Sequence, residues 1–266
     1  EDRGTLCISS QVGCTLNCTF CHTGTQKLVR NLTAQEIVAQ ILLARDRIGD
    51  WPGAVPEDPT GLPSGERKIT NVVLMGMGEP LLNRQNVLHA AASLADPRGP
   101  NIPPSRITLS TVGVVPGILH LADIYQHLPI RLAVSLHAAT DELRTTLIPL
   151  NATYPLAALV AALHAYTAKT RRHVFLEWAL VDGVNDTPQQ AHALVDLLNG
   201  LPAHINLMLL NTTDHYPGRP SDTASIQSFV AILEQYEIPH TMRQRRGLGI
   251  QAGCGQLYAA QLARSL

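Results

Sequence analysis

The sequence predicts an α/β fold of about six βα units around a parallel sheet, closed or partial as a barrel. Short apolar runs alternate with helix-patterned stretches along the 266 residues. At 45% apolar content the chain can bury one large core, so residues 1–266 are expected to form a single domain. Polar sets also follow directly on the apolar runs, as in MGMGEP, LST, SLH and LLN. In barrel folds the chemistry sits at these C-terminal strand ends.

The expected strands are 5–9 (TLCIS), 69–77, 106–111, 131–138, 173–181, 204–210 and 240–244. Helices fall between them. Thr33-Ala34-Gln35-Glu36 is a capping box that opens a helix running to about Asp46. Residues 154–166 are apolar at helical spacing, and His164 within them reads as a packing residue. A third helix starts at Asp186 or Thr187, carries Pro188 in its first turn and stops at Gly200. Between the first helix and the second strand, residues 51–68 are rich in Pro and Gly and read as a surface loop.

The net charge of −1 supplies no global field for a polyanion. Local basic runs remain at TRRH (170–173) and RQRR (243–246), and such runs are usually solvated faces. No apolar run has the length of a membrane span and no leader is evident, so the chain is expected in the cytoplasm. It opens without a methionine, which suggests that an N-terminal segment is missing. Five cysteines so unevenly placed do not read as a disulfide scaffold.

Three of them stand at C-x3-C-x2-C spacing, Cys14, Cys18 and Cys21. Structural zinc sites usually combine two such pairs, and no second pair follows here, although His22 could complete a Cys3His set. Three thiolates from one loop instead suit a four-iron cluster with one iron left open, a reactive arrangement. Gly76, Gly78 and Glu79 in GMGEP add a close backbone approach and a carboxylate at the next strand end.

The cysteine trio, with Phe20 before its last member, resembles the radical S-adenosylmethionine (SAM) superfamily and its partial (β/α) barrel. The wider stretch RGTLCISSQVGCTLNCTFCHTGTQKLVRNLT, with NVVLMGMGEPLLN, RITLSTVGVVP, AVSLHAATDELR, GVNDT, INL and AGCGQL in order, is similar to the RlmN/Cfr family of radical-SAM RNA adenine methyltransferases. That resemblance implies a [4Fe-4S] cluster on Cys14, Cys18 and Cys21 and SAM bound by Gly78, Glu79, Ser110, Ser135, Leu136, His137 and Asn211. It implies that one SAM methylates Cys254 and that a radical from a second SAM takes hydrogen from the S-methyl group. The methylene radical would add to an adenine carbon of RNA, joining enzyme and substrate. After loss of a proton, Cys7 would attack the Cys254 sulfur, leaving methylated RNA and a Cys7–Cys254 disulfide.

The implied substrates are 23S rRNA and tRNA, with an external electron donor such as flavodoxin, no membrane and a monomeric enzyme. Pro80 and Glu177 lean toward adenine C2 as the target; C8 methylation and an inert iron–sulfur RNA-binding homologue are the alternatives. The family's accessory RNA-binding domain and its proposed proton-accepting glutamate would lie upstream of residue 1. Gly249 and Gly253, and the absence of proline after Asn211, depart from the family pattern.

Overall fold

The structure, a computed structural model, describes residues 4–51, 67–213, 215–243 and 256–257. The chain begins with β1 (Gly4–Cys7) and a two-stranded antiparallel pair, β2 (Gln11–Val12) and β3 (Arg30–Asn31). There follow α1 (Ala34–Ile48), β4 (Ile69–Leu74), α2 (Arg84–Ala95), β5 (Ile107–Thr111), α3 (Val115–Ile124), β6 (Arg131–Ser135) and α4 (Asp141–Leu147). Then come α5 (Leu156–Thr170), β7 (Val174–Leu180), α6 (Pro188–Leu197), β8 (Ala203–Leu209), α7 (Thr223–Gln235) and β9 (His240–Met242).

Seven strands pair in parallel in the order β1-β4-β5-β6-β7-β8-β9. The sheet curls into a partial barrel, as expected. Alternation sets its two faces. Val72, Leu109, Leu132, Val134, Leu176, Trp178 and Ile205 turn outward and share one core with helix residues such as Ile37, Ile41, Ile118 and Phe229. Their neighbours Ser110, Ser135, Glu177, Ala179, Asn206 and Met208 therefore face the concave side. This division puts every apolar ridge under a helix and every polar strand end over one hollow.

The capping box forms: Thr33 accepts from Glu36 N at 3.2 Å, and Glu36 accepts from Thr33 N at 2.9 Å. Thr187 rather than Asp186 caps α6, accepting from Gln190 N, with Pro188 in the first turn. That helix ends at Leu197, and Gly200 (φ 73°) reverses the chain beyond it. The second helix of the sequence reading continues to Thr170, where Arg171 adopts a left-handed φ of 54°. Strands β1, β4 and β6 stop earlier than expected, the last two ahead of residues with left-handed φ. β6 ends at Ser135 because His137 is left-handed (φ 57°), and β4 ends before Gly78 (φ 93°).

Arg171, Arg172 and His173 are exposed at the N-terminal end of β7, remote from the polar strand ends, and Arg172 donates to Tyr125 Oη at 2.7 Å. This basic run is a solvated face. Of the predicted 51–68 loop, residues 52–66 lie outside the described residues. No helix among the described residues is long and apolar enough to cross a membrane.

The junction of α1 and β4 is fixed by a buried charge. Asp50 accepts from Lys68 N (2.6 Å) and Ile69 N (2.9 Å), and Arg45 Nε stands 3.7 Å from its carboxylate. Arg45 also donates to Pro100 O at 3.1 Å. Asp50→Ala should leave two amides without their acceptor and a buried guanidinium without its counter-charge, and cost about 3 kcal/mol in urea unfolding. Asp50→Asn, which retains one acceptor oxygen, should lose less; equal stability for both variants and wild type would refute this account.

Candidate active site

The cysteine loop is an insertion between β2 and β3, whose pairing Gln11↔Asn31 and Val12↔Arg30 brings its ends together. Cys14 N donates to Gln26 O (3.2 Å), Cys21 N to Cys18 O (3.1 Å) and Gly24 N to Cys21 O (2.9 Å). The loop is seated on α4 by Thr19 N to Leu147 O at 3.0 Å. Leu16, Phe20 and Cys21 pack with Cys18, Ala138, Leu147 and Ile148 in a second small apolar cluster. Cys14, Cys18 and Cys21 all line one cleft whose empty space, mouth included, is about 1100 Å³.

Burial pushes the Cys18 thiol well above its ordinary range, with the neighbouring Cys21 and Cys14 adding to it; burial likewise raises Cys14. Three thiolates cannot share such a loop without a cationic group between them. Among the described residues no three His, Cys, Asp or Glu side chains are spaced to hold one metal ion. Three thiols brought to one cleft with no fourth protein ligand beside them among the described residues suit an iron–sulfur cluster with one iron open.

Opposite the loop, the GMGE turn rests on residues that follow β1. Ser10 N and Gln11 N both donate to Met77 O, at 3.0 and 3.2 Å, and Met77 N donates to Ser9 Oγ at 3.0 Å. A Cβ at Gly78 would run into the Gln11 side chain, and its φ of 93° is also costly for other residues. Gln11 in turn donates to Asn31 Oδ1 (2.7 Å) and accepts from Glu79 N (2.8 Å). Glu79 is buried, and its two oxygens accept from Leu81 N and Val112 N at 2.9 Å each. Burial raises its carboxyl to about 7, against the pull of those amides.

The ends of β5 and β6 are gathered by Arg144, buried beneath the cleft. Its guanidinium donates to Val112 O (2.6 Å), Leu136 O (3.2 Å), Ser135 O (3.2 Å) and Asn151 Oδ1 (2.8 Å). Asn185 makes a second brace, donating to His137 O (2.7 Å) and Ala179 O (2.8 Å) while accepting from Val181 N (2.7 Å). His137 Nδ1 accepts from Ala179 N at 2.9 Å, so the neutral ring carries its proton on Nε2. Burial, and then Arg144, lower its pKa to about 3. Phe20 meets its ring edge-on at 4.7 Å.

The cleft thus gathers Cys14, Cys18, Cys21, Gly78, Glu79, Ser110, Ser135, His137 and Asn211. Leu136 differs: it is not among the residues lining the cleft, its side chain is in the apolar core, and its N–H donates to Glu177 O at 3.0 Å. Cys7 is exposed at the end of β1, outside the residues lining the cleft. Cys254 and Gly249 lie outside the described residues. Leu257, three positions beyond Cys254, does line the cleft. The sequence reading missed Gln11, Arg144 and Asn185 as site-building residues, although ATDELR and GVNDT contain two of them.

No protein-family model matches the chain. It is 51% identical over 257 residues to the dual-specificity RNA methyltransferase RlmN of Methylocella silvestris, covering 96% of this chain and 64% of that protein. The same-named protein of a Chelativorans species is 49% identical, with 98% of this chain and 63% of that protein covered. The chain therefore spans somewhat under two thirds of the length of these curated relatives. A crystal structure of a radical SAM methyltransferase from Sphaerobacter thermophilus superposes with a TM-score of 0.88 at 43% identity, covering 97% of this chain and 71% of that one. Streptococcus suis SuiB bound to S-adenosylmethionine is alike in fold alone, with a TM-score of 0.63 at 13% identity.

Arg144→Met should withdraw the guanidinium from three carbonyls and an amide oxygen, leaving Leu136 O with Ala138 N alone, and lower unfolding stability by about 3 kcal/mol. Arg144→Lys keeps the charge but not the fork and should fall between. Urea titration of the three proteins checks the order; a wild-type midpoint for the Met variant would exclude the bracing role.

Proposed function

Since the chain belongs to the radical SAM methyltransferases, we propose that it is the catalytic domain of an RNA methyltransferase acting on adenine C2 in 23S rRNA and tRNA. The observation that carries this reading is the meeting of the cysteine loop, the GMGE turn and Leu257 in one cleft. The RlmN name of relatives matched along nearly the whole chain supports the substrate.

In this reading Cys14, Cys18 and Cys21 hold a [4Fe-4S] cluster. Bound beside SAM, the cluster supplies a one-electron route to a carbon radical able to take hydrogen from a methyl group. Gly78 gives the closest backbone approach, and Glu79 takes the SAM ammonium. Ser110, Ser135, Asn211 and the His137 Nε2–H orient the rest. Cys254 carries the methyl group to the adenine, and Cys7 resolves the protein–RNA adduct by forming a disulfide with Cys254. Support for the carrier comes from Leu257, since three residues span at most about 11 Å of chain. Support for Cys7 comes from its register: Leu6 packs toward the outer core and Ile8 lies within it, so Cys7 points to the concave side. An external one-electron donor such as flavodoxin, a cytoplasmic location and a monomeric state complete the proposal.

Cys254→Ala should abolish RNA methylation and remove methyl-cysteine from the purified protein by mass spectrometry. Undiminished turnover in that variant rejects the reading. Cys7→Ala should instead accumulate a protein–RNA adduct through Cys254, and digestion mapping of the product separates C2 from C8.

The carboxyl of Glu79 also sets a pH dependence. An ammonium ion binds its ionised form, while the unliganded carboxyl titrates at about 7. SAM affinity should therefore rise with pH, with binding about tenfold weaker at pH 6 than at pH 8. Calorimetry in buffers of different ionisation heat should show proton release near pH 6.5. A flat profile would remove Glu79 from ammonium recognition.

A further inference from the structure

The chain on either side of Cys254 is tied to the walls of the cleft. On the incoming side Arg243 N donates to Leu207 O at 2.7 Å, extending the β8–β9 ladder. Arg243 Nη1 then reaches Glu177 Oε2 at 3.1 Å, while Asn206 Nδ2 donates to Glu177 Oε1 at 2.8 Å. Glu177 lines the cleft from the concave face of β7, its side chain only 5% exposed against 38% for Arg243. The pair therefore fastens the chain to the interior of the barrel, not to its rim. Burial raises the Glu177 carboxyl and Arg243 draws it back down, so the guanidinium and the ionised carboxylate depend on each other.

On the outgoing side Leu257 O accepts two hydrogen bonds, from Thr23 Oγ1 at 2.9 Å and Gln26 Nε2 at 3.2 Å. Gln256 Nε2 also donates to Thr212 O at 3.0 Å. Thr23 is buried and stands two positions after Cys21, so the loop bearing the three thiols is also the seat of the tail. Both anchors are polar and specific, and neither belongs to the apolar core.

We propose that Glu177, acting on Arg243, and Thr23 with Gln26, acting on Leu257, are positioning residues that fix both ends of the stretch bearing Cys254. This rests on the reading of Cys254 as methyl carrier. A carrier must present one sulfur first to a methyl donor and then to a base. Fixing the chain on both sides confines its travel and raises its effective concentration at each station. Sharing the loop with the cluster ligands also couples the seat of the tail to the state of that loop.

The test uses the full chain, reconstituted anaerobically, as wild type, Glu177→Gln, Thr23→Val, Gln26→Ala and the double variant Glu177→Gln/Arg243→Gln. Amide exchange should quicken roughly tenfold in peptides containing Arg243 for Glu177→Gln. In peptides containing Gln256 and Leu257 it should quicken roughly two- to tenfold for Thr23→Val or Gln26→Ala. Iron content and melting temperature should hold, and S-methylation of Cys254 should slow in each single variant. The double variant should be no slower than Glu177→Gln alone, because both changes remove one interaction. Unchanged local exchange, or loss of iron and melting temperature in step with it, overturns the proposal. If wild type gains no methyl on Cys254 while the exchange changes appear, the carrier reading fails and the anchors stand.

Discussion

The guanidinium of Arg144 is the constraint on which the cleft depends. Four short contacts draw the ends of β5 and β6 and the turn at Asn151 onto one buried cation. Carbonyl dipoles rather than a carboxylate satisfy it, so the charge is not cancelled. Burial lowers its pKa to about 10, which leaves it cationic at neutral pH. Its field is felt at Cys18, whose thiol it favours in the ionised form against the dominant effect of burial. One residue thereby shapes the backbone at the ends of β5 and β6 and biases the cysteine loop.

The short helix α4 delivers that residue. Asn151 accepts from Arg144 and donates to Asp141 Oδ1 (2.8 Å) and Thr145 Oγ1 (2.9 Å). Asp141 Oδ1 also accepts from Leu156 N at 2.8 Å, joining α4 to the start of α5. The C-terminal end of α4 receives Thr19 of the cysteine loop, whose N–H donates to Leu147 O. Displacing α4 would thus disturb both walls of the cleft together.

Much of this was legible in the sequence where a local signal existed. The strands of the main sheet followed from the apolar runs, the caps at Thr33 and at Asp186 or Thr187 from their residue types, and the cysteine loop from its spacing. The β2–β3 pair was not, because two-residue strands carry no period. Gln11, Arg144 and Asn185 were missed as braces for another reason. Each reaches at least one backbone atom remote in sequence, Glu79 N, Val112 O or His137 O, and a polar side chain does not advertise which backbone group it will meet. Leu136 shows a related limit: the left-handed turn at His137 leaves its side chain in the core, which the SLH motif alone does not reveal.

That turn has a consequence for how the pocket meets a changing environment. A histidine beside a reactive centre is ordinarily its most acid-sensitive element. Here the amide of Ala179 occupies Nδ1 and burial holds the pKa at about 3, so the imidazole stays uncharged around neutral pH and well below it. Its remaining N–H is accordingly a constant donor, as indifferent to surrounding proton concentration as a main-chain amide.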